Sequence, residues 1–162
     1  MGIGSPSLYP AFGSKENLFR EAVALYDRCE GAVTERALHN EPTARDAIAA
    51  MLLGNAASYA DPTKPPGCMV VLAATNCTAE NAPLASFLAE ARRVTQEQVR
   101  HRIEHGITEG DVPPNVDAGA LAAFFCTVLW GLSIRARDGA FRDDLTATAK
   151  QALAAWDRLT LY

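Results

Sequence analysis

The chain has 162 residues, 49% of them hydrophobic and 21% charged, with a formal net charge of −4 at pH 7. That is enough chain to bury a core as one domain of ordinary size, and the acidic balance excludes a surface that attracts nucleic acid as a whole, so any DNA contact must come from a small local patch. No window approaches 18 uninterrupted apolar residues and no basic run precedes an apolar one at the N-terminus, so neither a membrane span nor a signal peptide is expected and the cytoplasm is the default compartment.

In chain order, residues 1–14 come first. Ser5 can cap a short helix and Pro6 suits its first position. Only about two turns fit before Gly13, and an isolated helix that short is unstable in water. Residues 15–38 predict one long helix, with Leu18, Ala22, Leu25, Cys29 and Val33 on one face, Ser14 as its N-cap and Glu16 at the positive end of its dipole. His39-Asn40-Glu41-Pro42 breaks it.

Thr43 caps the next predicted helix, whose apolar stripe is Ile48, Met51, Leu52, Ala56 and Tyr59. Residues 61–67 hold three prolines and a glycine and read as a loop. Residues 68–75 are apolar on every side, which separates neither strand from helix. No second strand candidate exists for them to pair with, so a short central helix is expected.

Pro83 marks the first turn of a long helix reaching Gly110, roughly 40 Å at 1.5 Å per residue. Its apolar positions are Leu84, Phe87, Leu88, Ala91, Val94, Val99, Ile103 and Ile107. Two further helices are expected over 117–137, closed by Asp138-Gly139, and over 142–159, with Leu145, Ala149, Ala152, Leu153 and Trp156 on one side. The fold class is therefore all-α, a bundle of about six helices joined by short loops.

Several residues invite a chemical role. His101 and His105 share a helix face at a spacing that can bind a metal, but no third ligand is clearly placed and a solvated face is the preferred reading, so no metal and no cofactor are expected. Arg92, Arg93, Arg100 and Arg102 alternate with Glu90, Glu97 and Glu104, as on a salt-bridged exposed face. The cysteines Cys29, Cys68, Cys77 and Cys126 form no CxxC pair and fit no zinc framework. Cys68 opens the central helix, where a thiol's pKa falls, and is the candidate redox residue; its neighbours Met69, Val70 and Val71 favour burial and inertness instead. No Gly-rich phosphate loop and no nucleophile–base–orienter set is present, so an enzyme is not expected. The aromatics Phe87, Phe124, Phe125 and Trp130 read as core more readily than as a ligand box.

The run Gly2-Ile3-Gly4-Ser5-Pro6-Ser7-Leu8-Tyr9-Pro10-Ala11-Phe12-Gly13-Ser14-Lys15-Glu16-Asn17-Leu18-Phe19 resembles the recognition helix and following turn of TetR-family (tetracycline-repressor-type) transcriptional regulators. Pro66-Gly67-Cys68-Met69-Val70-Val71, the long helix after Pro83 and the paired last helices resemble one C-terminal branch of that family. The resemblance implies that residues 1–14 are the end of a helix-turn-helix DNA-binding domain and 15–162 a ligand-binding and dimerisation body. In that family roughly 35–40 residues, supplying the first two helices of such a domain, come before this run.

It implies Ser5, Pro6, Ser7, Tyr9 and Lys15 as DNA-contacting residues, with Leu8 and Phe12 anchoring the recognition helix. It also implies a homodimer built on the last two helices, for which Phe125, Leu129, Leu153 and Trp156 are the expected interface residues. A small, mainly apolar effector would enter a pocket walled by the helices at 15–38, 43–60, 68–78 and 84–110, lined by Leu52, Tyr59, Met69, Thr75 and Phe87. The partners are then double-stranded operator DNA, the effector and a second copy, and the function is repression relieved by the effector. The alternative is a stand-alone helical ligand- or redox-sensing module without DNA binding.

Overall fold

The computed structural model describes residues 12–73 and 81–161. Every regular element among them is a helix: α1 (Lys15–Cys29), α2 (Ala32–Asn40), α3 (Ala44–Tyr59), α4 (Met69–Leu72), α5 (Ala82–Glu109), α6 (Ala118–Arg137), α7 (Arg142–Ala154) and α8 (Trp156–Thr160). The all-α expectation holds. The chain divides into two compact units, residues 1–32 and 33–162.

In the first unit, Ser14 caps α1 as expected, its Oγ accepting from the Asn17 N–H at 3.1 Å. The continuous helix expected over 15–38 is interrupted. The N–H groups of Glu30 and Gly31 both converge on the Tyr26 carbonyl at 2.8 Å, which closes α1 before Gly31, a poor helix former. The expected apolar face is corrected as well. Leu25 is 56% exposed and Cys29 is exposed, whereas Val23 is buried.

The second unit is organised around α3, which packs against α5, α6 and α7. Thr43 and Asp46 hold its start reciprocally, the Asp46 N–H donating to Thr43 Oγ1 at 3.0 Å and the Thr43 hydroxyl donating to Asp46 Oδ2 at 2.7 Å. A second cap comes from far along the chain: Asp111 Oδ2 accepts from the Ala44 N–H at 2.6 Å, satisfying another orphan donor of the first turn. The predicted stripe Ile48, Met51, Leu52, Ala56 and Tyr59 is buried in full. Asn55 lies among them, and its Nδ2 donates to Thr34 Oγ1 at 3.0 Å and to the Met51 carbonyl at 2.8 Å; buried polar groups need such partners.

α5 starts with a proline in its first turn and ends at Gly110, whose φ of 87° is the left-handed cap that glycine favours. α6 is capped by Asp117, which accepts from the Ala120 N–H at 2.9 Å. By length and composition α6 is apolar enough to cross a membrane, but Leu121, Ala122, Phe125, Cys126, Leu129 and Leu132 on it are buried in the helical core. The last predicted helix is two pieces, α7 and α8, stepping at Ala155. The two interruptions, at Gly31 and Ala155, account for finding more helices than the sequence pattern suggests.

Candidate functional site

Of the expected DNA-contacting residues, Ser5, Pro6, Ser7 and Tyr9 lie outside the described residues, and Lys15 is exposed at the first position of α1. Of the expected effector-lining residues, Thr75 lies outside them too. Leu52 is 0% exposed and Tyr59 nearly so, both within the core of α3. Met69 and Phe87 are half-buried, on α4 and α5, and those two helices pack together. In this packing Leu52 offers no surface to a ligand.

The walls beside α4 are tied by polar groups. Tyr59's carbonyl accepts from the Gly67 N–H at 3.2 Å. Ser133 Oγ, fully buried on α6, accepts from the Cys68 N–H at 2.7 Å. Arg92 Nη1 donates to the Val70 carbonyl at 3.1 Å. Loop 61–67 and the single turn of α4 are thereby fastened to α3, α5 and α6. Cys68 is half-buried at the N-cap of α4 and its thiol makes no capping bond.

The interleaved charges of α5 behave in part as expected. Arg93 pairs with Glu90 at 2.6 Å, and Arg100 with Glu97 at 2.8 Å and with Glu104; the Arg93 hydrogen bond holds the Glu90 carboxyl below the usual carboxylate range. Arg102 departs from the pattern. Its side chain is only 9% exposed, and its Nη2 donates to the carbonyls of Glu41 and Pro42 at 3.3 and 3.2 Å. It spans from α5 to the corner between α2 and α3. Beside it runs a groove of about 580 Å³ whose lining includes Leu38, Pro42, His101 and His105. The sequence pattern placed both histidines on an exposed face, and they are exposed. It did not reveal that residues 38–42 return to the same place, because that contact spans some sixty positions.

The expected dimer residues lie mostly inside a single chain. Phe125, Leu129 and Trp156 are 0%, 3% and 4% exposed within a single chain, and the Phe125 and Trp156 rings pack at 5.6 Å between centroids. They are spent on the chain's own core, and Leu153 is half-buried against it. The apolar groups that the same region leaves outward are Phe124, Phe141, Leu159 and Leu161, at 38%, 80%, 40% and 72% exposure.

A helical body with a core built on α3, together with the recognition-type motif of residues 2–19, points to the class: the body of a transcription regulator. Comparison with known proteins gives the family. The pattern described as "Tetracyclin repressor-like, C-terminal domain" matches residues 44–155, and the chain belongs to the TetR family of transcriptional regulators. It is 26% identical over 159 residues to the HTH-type transcriptional repressor ComR of Escherichia coli (strain K12), covering 98% of this chain and 76% of that protein. It is 29% identical over 153 residues to the repressor BdcR of the same organism, covering 94% and 72%.

Among solved structures, a cysteine-substituted form of the TetR family transcriptional regulator CifR, complexed with 26-bp double-strand operator DNA, superposes with a TM-score of 0.91 at 41% identity. The match covers 95% of this chain and 81% of that one. A TetR transcriptional regulator from Rhodococcus sp. RHA1 matches with a TM-score of 0.67 at 36% identity, over 95% and 82%.

Proposed function

We propose that this protein is a ligand-responsive repressor that binds operator DNA as a homodimer, in the cytoplasm where that DNA is. The observation that carries this reading is the likeness over 95% of the chain to a regulator held on its operator, joined to the motif from Gly2 to Phe19. In this reading Ser5, Pro6, Ser7, Tyr9 and Lys15 touch DNA, Ser5 and Ser7 through phosphates or base edges near a helix N-terminus. Two copies place their recognition helices about 34 Å apart, one turn of the duplex.

The effector enters on the α4 side of the core, near Met69 and Phe87, with Leu52 and Tyr59 reached only as the packing opens; Thr75 is the remaining residue expected to line it. Gly67, Cys68 and Val70 are bonded to α3, α6 and α5, so displacement of α4 loads three core helices at once. The experiment is binding of the complete gene product to DNA flanking its own gene, by fluorescence anisotropy. Specific binding that weakens steeply with salt is expected, and Lys15→Ala lowers the salt slope by about one. An effector that releases DNA must bind more weakly by the same factor when operator is present. Absence of any sequence-specific binding favours the stand-alone sensing module instead.

A further inference from the structure

The inward seam of α5 carries a cation. Leu88, Arg92, Thr95 and Val99 follow one another at steps of four, three and four, the spacing that keeps side chains on one helix face. Leu88 and Val99, at the two ends of this run, are 0% exposed, and Arg92 and Thr95 between them are half-buried. Thr95 settles locally, its hydroxyl donating to the Ala91 carbonyl at 3.1 Å. Arg92 reaches across to α4 instead. Its Nη1 donates to the Val70 carbonyl at 3.1 Å, which holds the guanidinium beside the residue that follows Met69.

The other three arginines of α5 face carboxylates: Arg93 has Glu90, Arg100 has Glu97 and Glu104, and Arg102 has Glu109. Arg92 has no carboxylate within ion-pair distance among the described residues. The acids of the neighbouring segments are engaged elsewhere, Glu90 by Arg93 and Asp61 by Thr63. The guanidinium fork has five N–H donors, and the bond to Val70 leaves the Nε–Nη2 edge unused. That edge keeps accessible surface, because Arg102 Nη1 is the one side-chain nitrogen or oxygen that is both buried and unbonded among the described residues. A partly desolvated cation with an open donor edge and no counter-charge selects an anion, and a planar carboxylate matches the edge with two parallel bonds.

We propose that the effector is an apolar acid, an alkyl or aryl carboxylate whose two oxygens take the Nε–Nη2 edge of Arg92 while its body lies along Met69 and Phe87. This rests on the reading that an effector enters on the α4 side, and gives that effector its chemical class. A neutral molecule of the same shape forgoes the charge-assisted pair, and an amine meets a like charge. Because the same guanidinium holds the Val70 carbonyl, a carboxylate drawn onto it also bears on α4.

The test uses the purified full chain and N-phenylnaphthylamine, an uncharged apolar dye that brightens in apolar sites. The dye is displaced with octanoate, decanoate and naphthoate, each set against the matching alcohol and amine. At least one acid is expected to displace it at a concentration about tenfold or more below its alcohol and its amine, a preference of about 1.4 kcal/mol. Arg92→Gln should erase that preference while dye binding and displacement by the alcohol stay as in wild type, which shows that the site is still folded. Arg93→Gln, the exposed neighbour, should leave the preference intact. The proposal is overturned if every acid displaces the dye no better than its alcohol, or if Arg92→Gln keeps the preference; dye and alcohols that still bind then leave the α4-side site standing without its acid. If neither the dye nor any acid binds, the site itself falls along with the proposal.

Discussion

Ser133 Oγ accepts the backbone N–H of Cys68 at 2.7 Å, across 65 positions of sequence. Gly67 makes this approach possible. Its φ is +81°, and a Cβ there would stand 2.6 Å from the Ser133 carbonyl oxygen and 2.8 Å from Leu72 Cδ1. Ser133→Ala leaves the Cys68 N–H without its partner, which costs about 1–3 kcal/mol. Gly67→Ala costs more, because the left-handed backbone alone is worth about 1–2 kcal/mol before the contact with Ser133 is added. Urea unfolding of both variants checks the order; a neutral Gly67→Ala would show that the loop is not held against α6.

We propose that the outward apolar groups Phe124 on α6 and Leu159 on α8 belong to the dimer face, one step aside from the residues expected from the sequence pattern. Along an α-helix adjacent residues point about 100° apart, so Phe124 faces outward while Phe125 is interior. Phe124→Asp and Leu159→Asp together should convert the dimer to a monomer in light scattering, with helical content unchanged. Phe125→Ala should instead unfold the chain, at about 3–5 kcal/mol for a buried aromatic. If the Phe124 and Leu159 substitutions leave the dimer intact, the face lies elsewhere on the molecule.

Most of the helix pattern was legible from apolar spacing and caps. Thr43 with its Ile48–Tyr59 stripe, the proline-led α5 and the Asp117-capped α6 all carry local signals that tertiary packing reinforces. What was not legible depended on contacts between distant segments. Arg102 has the sequence context of a surface arginine, and only the return of Glu41 and Pro42 makes it a buried one. Asp111 follows a helix-ending glycine like any loop residue, yet it caps α3. The expected interface residues turn inward for a related reason. Periodicity identifies an apolar side of α6, but α6 packs against α3, α5 and α7 within the chain, and this packing consumes Phe125 and Leu129.

The three described cysteines should separate by reactivity. Cys29 is exposed, Cys68 half-buried and Cys126 fully buried, and burial pushes the Cys126 thiol up to about 12. Because the thiolate is the nucleophile, alkylation at neutral pH followed by peptide mapping should label Cys29 first, Cys68 more slowly and Cys126 only on unfolding. Native-state labelling of Cys126 at a rate near that of Cys29 would contradict the packing of α6. A Cys68 that reacts faster than Cys29 would revive it as a sensing thiol.

Asp61 makes stability respond to acid. Its Oδ1 accepts the Thr63 hydroxyl at 2.7 Å and the Thr63 N–H at 2.9 Å. These bonds, with a smaller contribution from Lys64 and Arg142, hold its carboxyl below the ordinary value of 3.8. A carboxyl lowered on folding contributes stability that is fully present above the unfolded pKa, and the contribution is lost as pH falls through the folded one. Asp61→Asn removes the charge while keeping an acceptor. The midpoint of thermal unfolding should therefore differ between wild type and Asp61→Asn at pH 6, and the difference should shrink as pH falls below about 4, where the free carboxyl titrates. The group is partly exposed, so the effect is small and should diminish with added salt. A difference that persists unchanged down to pH 2 would show that the turn is set by Thr63 geometry rather than by the carboxylate charge.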